Sequence, residues 1–182
     1  MELNRAFDST LAILAKVSRG QLDAPTPCAS WDVRALINHF TGTARWAAAN
    51  VAGGAAPAEA DYAAGDFVAA YEESIQIAMT AFAAEGALGR TVRLPFGEVP
   101  GSFLMMMAAT DQFTHGWDLA RAIGLPTDLD PALADELLGQ ARLGVADTMR
   151  GPDGQAPFGP AVVPPATAGP ADRLAAFLGR AV

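Results

Sequence analysis

The sequence predicts an all-α fold, a bundle of four long helices followed by shorter helices and an irregular segment. Three observations carry that expectation. Ala and Leu dominate the apolar 51% of the chain over β-branched residues, which favours helix over sheet. Long stretches keep apolar residues at helical spacing. The 18 Gly and 13 Pro fall between those stretches, so they read as punctuation and not as disorder. At 182 residues the chain is expected to form one domain, residues 1–182, large enough to bury a core without disulfide or structural-metal support.

The first helix is expected over residues 3–18, where Leu3, Phe7, Leu11, Leu14 and Val17 share a face and Gly20 follows as a stop. After a turn-rich segment, Ser30 reads as the N-cap of a second helix over residues 31–50, with Asp32 in its first turn. Its apolar face holds Val33, Leu36, Ile37, Phe40, Ala44 and Ala47, and His39 lies at the margin. An Ala/Gly/Pro-rich stretch, residues 51–65, reads as a long crossing connection. The third helix is expected over residues 66–85, from Phe67, Tyr71, Ile75, Ala78 and Phe82. Residues 91–94 suggest a short extended piece, and residues 95–101 a tight turn.

The fourth helix, residues 102–123, is the centre of the functional argument. At 100° per residue Leu104, Ala108, Asp111, His115, Leu119 and Ala122 form one stripe, with Met107 and Asp118 on its borders. A carboxylate and an imidazole thus stand one turn apart on the face expected to turn inward. A buried carboxylate is costly unless it is paired, hydrogen-bonded or metal-bound. Gly124 and Pro126 end this helix; Asp130-Pro131 opens a fifth over residues 131–150. Residues 151–170 lack a period and are expected to pack over the bundle through Phe158, Val162 and Val163. A last short helix is expected over residues 171–178.

Composition limits the function. A net charge of −8 without a basic run argues against a nucleic-acid partner. One cysteine excludes an internal disulfide or a Cys-rich zinc module. The start lacks the layout of a signal peptide, and the longest apolar run, near residues 103–109, is too short to span a bilayer. The expectation is a cytoplasmic protein without a membrane partner. No Gly-x-Ser-x-Gly elbow supports a serine hydrolase.

The chain holds two histidines, His39 and His115. With Asp111 they form an N,N,O set on two helices, which leaves positions open for substrate, as catalytic metal sites do. Either an Asp–His hydrogen bond in a helical core or ligation would explain Asp111 and His115 alone. Asp118, Arg121 and Arg34 are candidates for a supporting shell, with Asp118 orienting a ligand or pairing with either arginine. Cys28 reads as a small buried turn residue or as a reactive thiol. Trp31, Trp46 and Tyr62 could line a substrate mouth. Met105, Met106 and Met107 span too wide an arc for one cofactor surface and read as gap-fillers. Trp117, off the stripe, is expected to pack on another helix or a second subunit, so a homodimer is left open.

Residues 30–39, Ser-Trp-Asp-Val-Arg-Ala-Leu-Ile-Asn-His, and residues 111–120, Asp-Gln-Phe-Thr-His-Gly-Trp-Asp-Leu-Ala, resemble the two signature helices of the DinB/YfiT-like metal-binding bundles. The branch they are most similar to is related to the metal-binding domain of mycothiol-dependent maleylpyruvate isomerase. Thr26-Pro27-Cys28 and residues 172–180 resemble it too. The resemblance implies a DinB-like four-helix bundle of up-down-down-up topology. It also implies a divalent metal, zinc or nickel, held by His39, Asp111 and His115; the isomerase carries Glu at the position of Asp111. The isomerase has a further C-terminal domain that contributes to catalysis and has no counterpart before Val182, so the resemblance bears on the metal site more than on that reaction.

Chemically, such an ion would lower the pKa of a low-molecular-weight thiol of mycothiol type and present it to an electrophile, in a transferase or isomerase-like reaction. The alternatives are a metal-dependent hydrolase and a non-catalytic metal-binding or stress-related sensor.

Overall fold

The structure, a computed structural model, describes residues 1–152 and 154–182; position 153, within the predicted irregular stretch, lies outside the described residues. Its helices are α1 (Glu2–Leu14), α2 (Val33–Ala52), α3 (Phe67–Ala83), α4 (Gly101–Ala122), α5 (Pro131–Gly144) and α6 (Pro170–Phe177). A two-stranded hairpin, β1 (Thr91–Leu94) and β2 (Gly97–Pro100), precedes α4, with Thr91 opposite Pro100 and Leu94 opposite Gly97. Among the described residues no helix is long and apolar enough to cross a membrane.

Contacts along the helices fix their directions. His39 stands opposite Asp111, and Val51 beside Gly101, so α2 and α4 are antiparallel. Asn38 reaches Ala63 and Arg45 reaches Ser74, so α2 and α3 run parallel. Phe7 packs on Tyr71 while Arg19, beyond α1, bonds the carbonyls of Ala64 and Gly65, which sets α1 against α3. The result is the up-down-down-up bundle. Two parallel neighbours require a long connection, which residues 53–66 supply, including a 3-10 turn at Tyr62–Ala64.

Several sequence expectations shift. The second helix is capped by Asp32 and not by Ser30: the Asp32 carboxylate accepts from the Ala35 N–H at 2.8 Å, and residues 30–31 stay outside the helix. The first helix stops at Leu14, before Val17. Residues 97–100 form a strand where a turn was expected, because the backbone of 91–94 needs a partner for its peptide groups. The fifth helix ends at Gly144, six residues early, and a 3-10 turn follows at Asp147–Met149. In the irregular segment Phe158 packs against the core, but Val163 is 92% exposed and Val162 38%, and Val162 is held by its backbone N–H on the Ala176 carbonyl and not by its side chain. There the chain is held by Arg150, which donates to the carbonyls of Gly159 and Phe177. Gly159 and Gly179 cross backbone on backbone, and a Cβ on Gly179 would overlap Gly159.

The helix α4 departs most from its expected pattern. From Gln112 to Ala120 every residue is buried, whatever its angle on the helical wheel. Helices α1, α2, α5 and α6 all pack on it. A helix enclosed on every side shows no single apolar stripe. Trp117, off the predicted stripe, is 1% exposed and donates its indole N–H to Asp172 of α6, so it faces its own chain and not a second subunit.

Candidate metal centre

Two helices bring the three predicted ligands together. His39 on α2 has its Nε2 3.3 Å from Asp111 Oδ1, and His115, one turn along α4 from Asp111, has its Nε2 3.4 Å from the same oxygen. The two imidazole centroids are 4.7 Å apart at an interplanar angle of 78°. One ligand atom from each of the three residues lies within 4.8 Å of the others. Two atoms each ~2.1 Å from one ion at a tetrahedral angle are separated by ~3.4 Å. Both Asp111–histidine separations therefore match what a shared divalent ion would require.

The surrounding groups fix which atoms face inward. Asp118, fully buried, accepts from His115 Nδ1–H at 2.9 Å. That pairing keeps a proton on Nδ1 and turns Nε2 toward Asp111, the carboxylate–histidine arrangement common behind bound metals. Arg180 donates to both Asp118 oxygens, at 2.9 and 3.2 Å. On the Asp111 side, the Thr43 hydroxyl donates to Oδ2 at 2.8 Å and leaves Oδ1 toward the imidazoles. Gln112 also touches Oδ2, at 3.3 Å, and its amide is held by the Phe40 carbonyl and the Tyr71 hydroxyl.

The electrostatics follow from this packing. Burial pushes the Asp111 carboxyl up, but His115 and His39 together outweigh it and hold the group well below the usual carboxylate range. Burial likewise pushes the His115 imidazole down, and Asp111 with Asp118 more than reverses it. Asp118 is lowered against its own burial by His115 and Arg180. A divalent ion bound there would take the place of the proton on His115 Nε2.

The sequence expectation named the wrong cations for the supporting shell. Arg34 pairs with Asp61 at 2.9 Å, and Arg121 stands over the Trp117 ring at 5.9 Å. Asp118 binds Arg180 instead, because the chain after α6 returns to the end of the bundle where α4 finishes. Cys28 is part of this group: its Sγ is 3.4 Å from Asp118 Oδ2 and 3.6 Å from an Arg180 nitrogen. Cys28, His115 and Asp118 form a second set close enough to share an ion. A cation there would displace the Asp118–His115 contact and face the Arg180 guanidinium, so the set of His39, Asp111 and His115 fits better.

Of the aromatic candidates, Trp31 covers the centre, its ring 4.4 Å from His39 and 5.6 Å from His115. Trp46 lines a cleft of ≈ 90 Å³ bordering Asp111 and Thr43, together with Leu104, Met107 and Ala108. Tyr62 lies elsewhere, beneath the Arg45 guanidinium at 5.3 Å. Met107 thus lines the cleft, while Met105 packs against the core. The side chains of His39 and Asp111 are 27% and 29% exposed, against 8% for His115, so the centre opens on one side. The residues that spacing missed are Thr43, Tyr71, Gln112 and Arg180. Only Thr43 carried a signal, since it stands one turn after His39 on the same face.

Two uncharacterized proteins of Mycobacterium tuberculosis, from strains CDC 1551 / Oshkosh and H37Rv, are each 44% identical to the chain over 186 residues, covering all of it and 97% of their own length. No solved structure matches. The family described as the mycothiol maleylpyruvate isomerase N-terminal domain matches residues 3–120, from the first turn of α1 to the last turns of α4. With its helical bundle and its His/Asp cluster, the chain belongs to that family.

Proposed function

We propose that the chain is a divalent-metal-dependent enzyme that works with a low-molecular-weight thiol of mycothiol type in a transferase or isomerase-like reaction, with His39, Asp111 and His115 holding zinc or nickel. The observation that carries this reading is the position of Asp111 Oδ1, 3.3 and 3.4 Å from the Nε2 atoms of imidazoles on two separate helices. A bound divalent ion would supply Lewis acidity, lowering the pKa of a thiol and holding it as the nucleophile.

The chain's own residues divide the remaining work. Asp118 keeps the proton on His115 Nδ1, and Arg180 keeps Asp118 ionised and aimed. Thr43 and Gln112 hold Asp111 so that one oxygen is free. Trp31 shields one face of His39 from water, and the exposed edge of His39 and Asp111 admits a small molecule. That open edge favours a substrate-handling site over a sealed structural one.

Elemental analysis of the purified chain beside the His39→Ala/His115→Ala double variant tests the reading. One divalent ion per chain, lost in the variant while its helical content is kept, is the expected result. Equal metal in both would overturn the ligand assignment. Thiol conjugation of an electrophile should then require the metal-loaded protein. Ester or amide cleavage without any conjugation would favour a hydrolase, and no turnover a binding protein.

A further inference from the structure

We propose that the cleft beside Asp111 receives a short, uncharged aliphatic arm of the thiol that reaches the centre, so that this chain discriminates against thiols whose tail carries a carboxylate. The inference rests on the metal-and-thiol reading above and adds to it the class of group selected.

Size and polarity come from the walls. Trp46, Leu104, Met107 and Ala108 present carbon, and the polar lining comes from Thr43 and Asp111, whose oxygens are already bonded to each other at 2.8 Å. The cleft holds ≈ 90 Å³. A dry cavity that takes benzene measures ~150 Å³, so this one suits a chain of roughly three or four carbons and not a ring.

Charge points the same way. Two neutral imidazoles and one carboxylate around a divalent ion sum to a single positive charge, which one thiolate cancels. A further carboxylate on the tail would lie against apolar walls beside Asp111 with nothing to offset its lost hydration. The guanidiniums of Arg45, Arg34 and Arg180 are committed, to Ser74 and Glu73, to Asp61 and to Asp118. No Lys or Arg is among the described residues lining the cleft, and the net charge of −8 repels anions further.

The test is a binding titration of cobalt(II)-loaded protein, read by the sulfur-to-cobalt charge-transfer absorption. The probes are 1-propanethiol and 3-mercaptopropionate, which share the sulfur and the three-carbon chain and differ in a terminal carboxylate. We expect 1-propanethiol to bind at least ~10-fold tighter, a difference of ~1.4 kcal/mol. Ala108→Leu, which fills the cleft, should bring the two affinities within about twofold, and Met107→Ala, which widens it, should shift the preference to longer alkyl thiols. Equal affinities in the unaltered protein, or tighter binding of 3-mercaptopropionate, would overturn the cleft assignment and leave the metal-and-thiol reading standing. A cobalt-loaded protein that shows no charge-transfer band with either thiol would overturn both.

Discussion

Asp118 has no exposed surface, yet it joins His115, Arg180 and Cys28. Its effect on the centre is indirect: it sets the tautomer of one proposed ligand. Replacing such a partner commonly weakens metal affinity 10–100-fold. Asp118→Asn should therefore lower zinc affinity by about that factor in competition with a chromophoric chelator. An affinity within twofold of the unaltered protein would show that the contact does not orient His115. Thr43→Val should act more mildly, since it frees Asp111 Oδ2 without removing a ligand, and Thr43→Ser should restore what is lost. The legibility of these residues differs for a physical reason. Asp111 and His115 announce themselves through helical spacing, and His39 through scarcity. Arg180 is 62 positions from Asp118, and no local pattern records that the chain folds back to it.

Among the elements, the pairing of α1 with α4 depends on one absent side chain. A Cβ on Gly116 would overlap the Thr10 hydroxyl and crowd the Thr10 backbone, and that hydroxyl donates to the Gln112 carbonyl at 2.7 Å. Gly116→Ala must push the two helices apart or turn Thr10 away, and overpacking of this kind costs about 1–3 kcal/mol. Urea unfolding should show that loss; unchanged stability would mean the interface yields freely. At the start of α5, Asp130 accepts from the Leu133 N–H at 3.0 Å and pairs with Arg5 at 2.8 Å. Losing a cap of this type costs roughly 1 kcal/mol, the expected effect of Asp130→Ala at neutral pH. Its carboxyl is lowered, chiefly by the Arg5 hydrogen bond. A lowered acid stabilises the fold above its unfolded value near ~3.9 and loses that contribution as pH falls through the folded value. The gap between Asp130→Ala and the unaltered protein should accordingly be full at pH 6 and shrink below about pH 4; a gap that persists in acid would assign it to packing instead. The boundaries that spacing misplaced lie at such ends: the Asp32 cap displaced Ser30, and α5 stopped at Gly144.

For the molecule as a whole, the bundle was legible because four amphipathic or apolar stretches are separated by Gly- and Pro-rich breaks. What spacing could not show was the enclosure of α4, since burial on every side depends on α5 and α6 returning to cover it. Ion binding to the folded state alone should stabilise it by about 2.7 kcal/mol at a free concentration 100 times the dissociation constant. For a chain of this size that corresponds to a rise of roughly 5–10 °C in Tm, absent in the His39→Ala/His115→Ala variant. The centre itself is tested most directly by X-ray absorption of the zinc-loaded protein prepared without added thiol. The account predicts a first shell of nitrogen and oxygen only, at ~2.0–2.2 Å, with outer-shell scattering from two imidazoles. A sulfur neighbour at ~2.3 Å would instead put the ion at Cys28, and a shell without imidazole would contradict the account altogether.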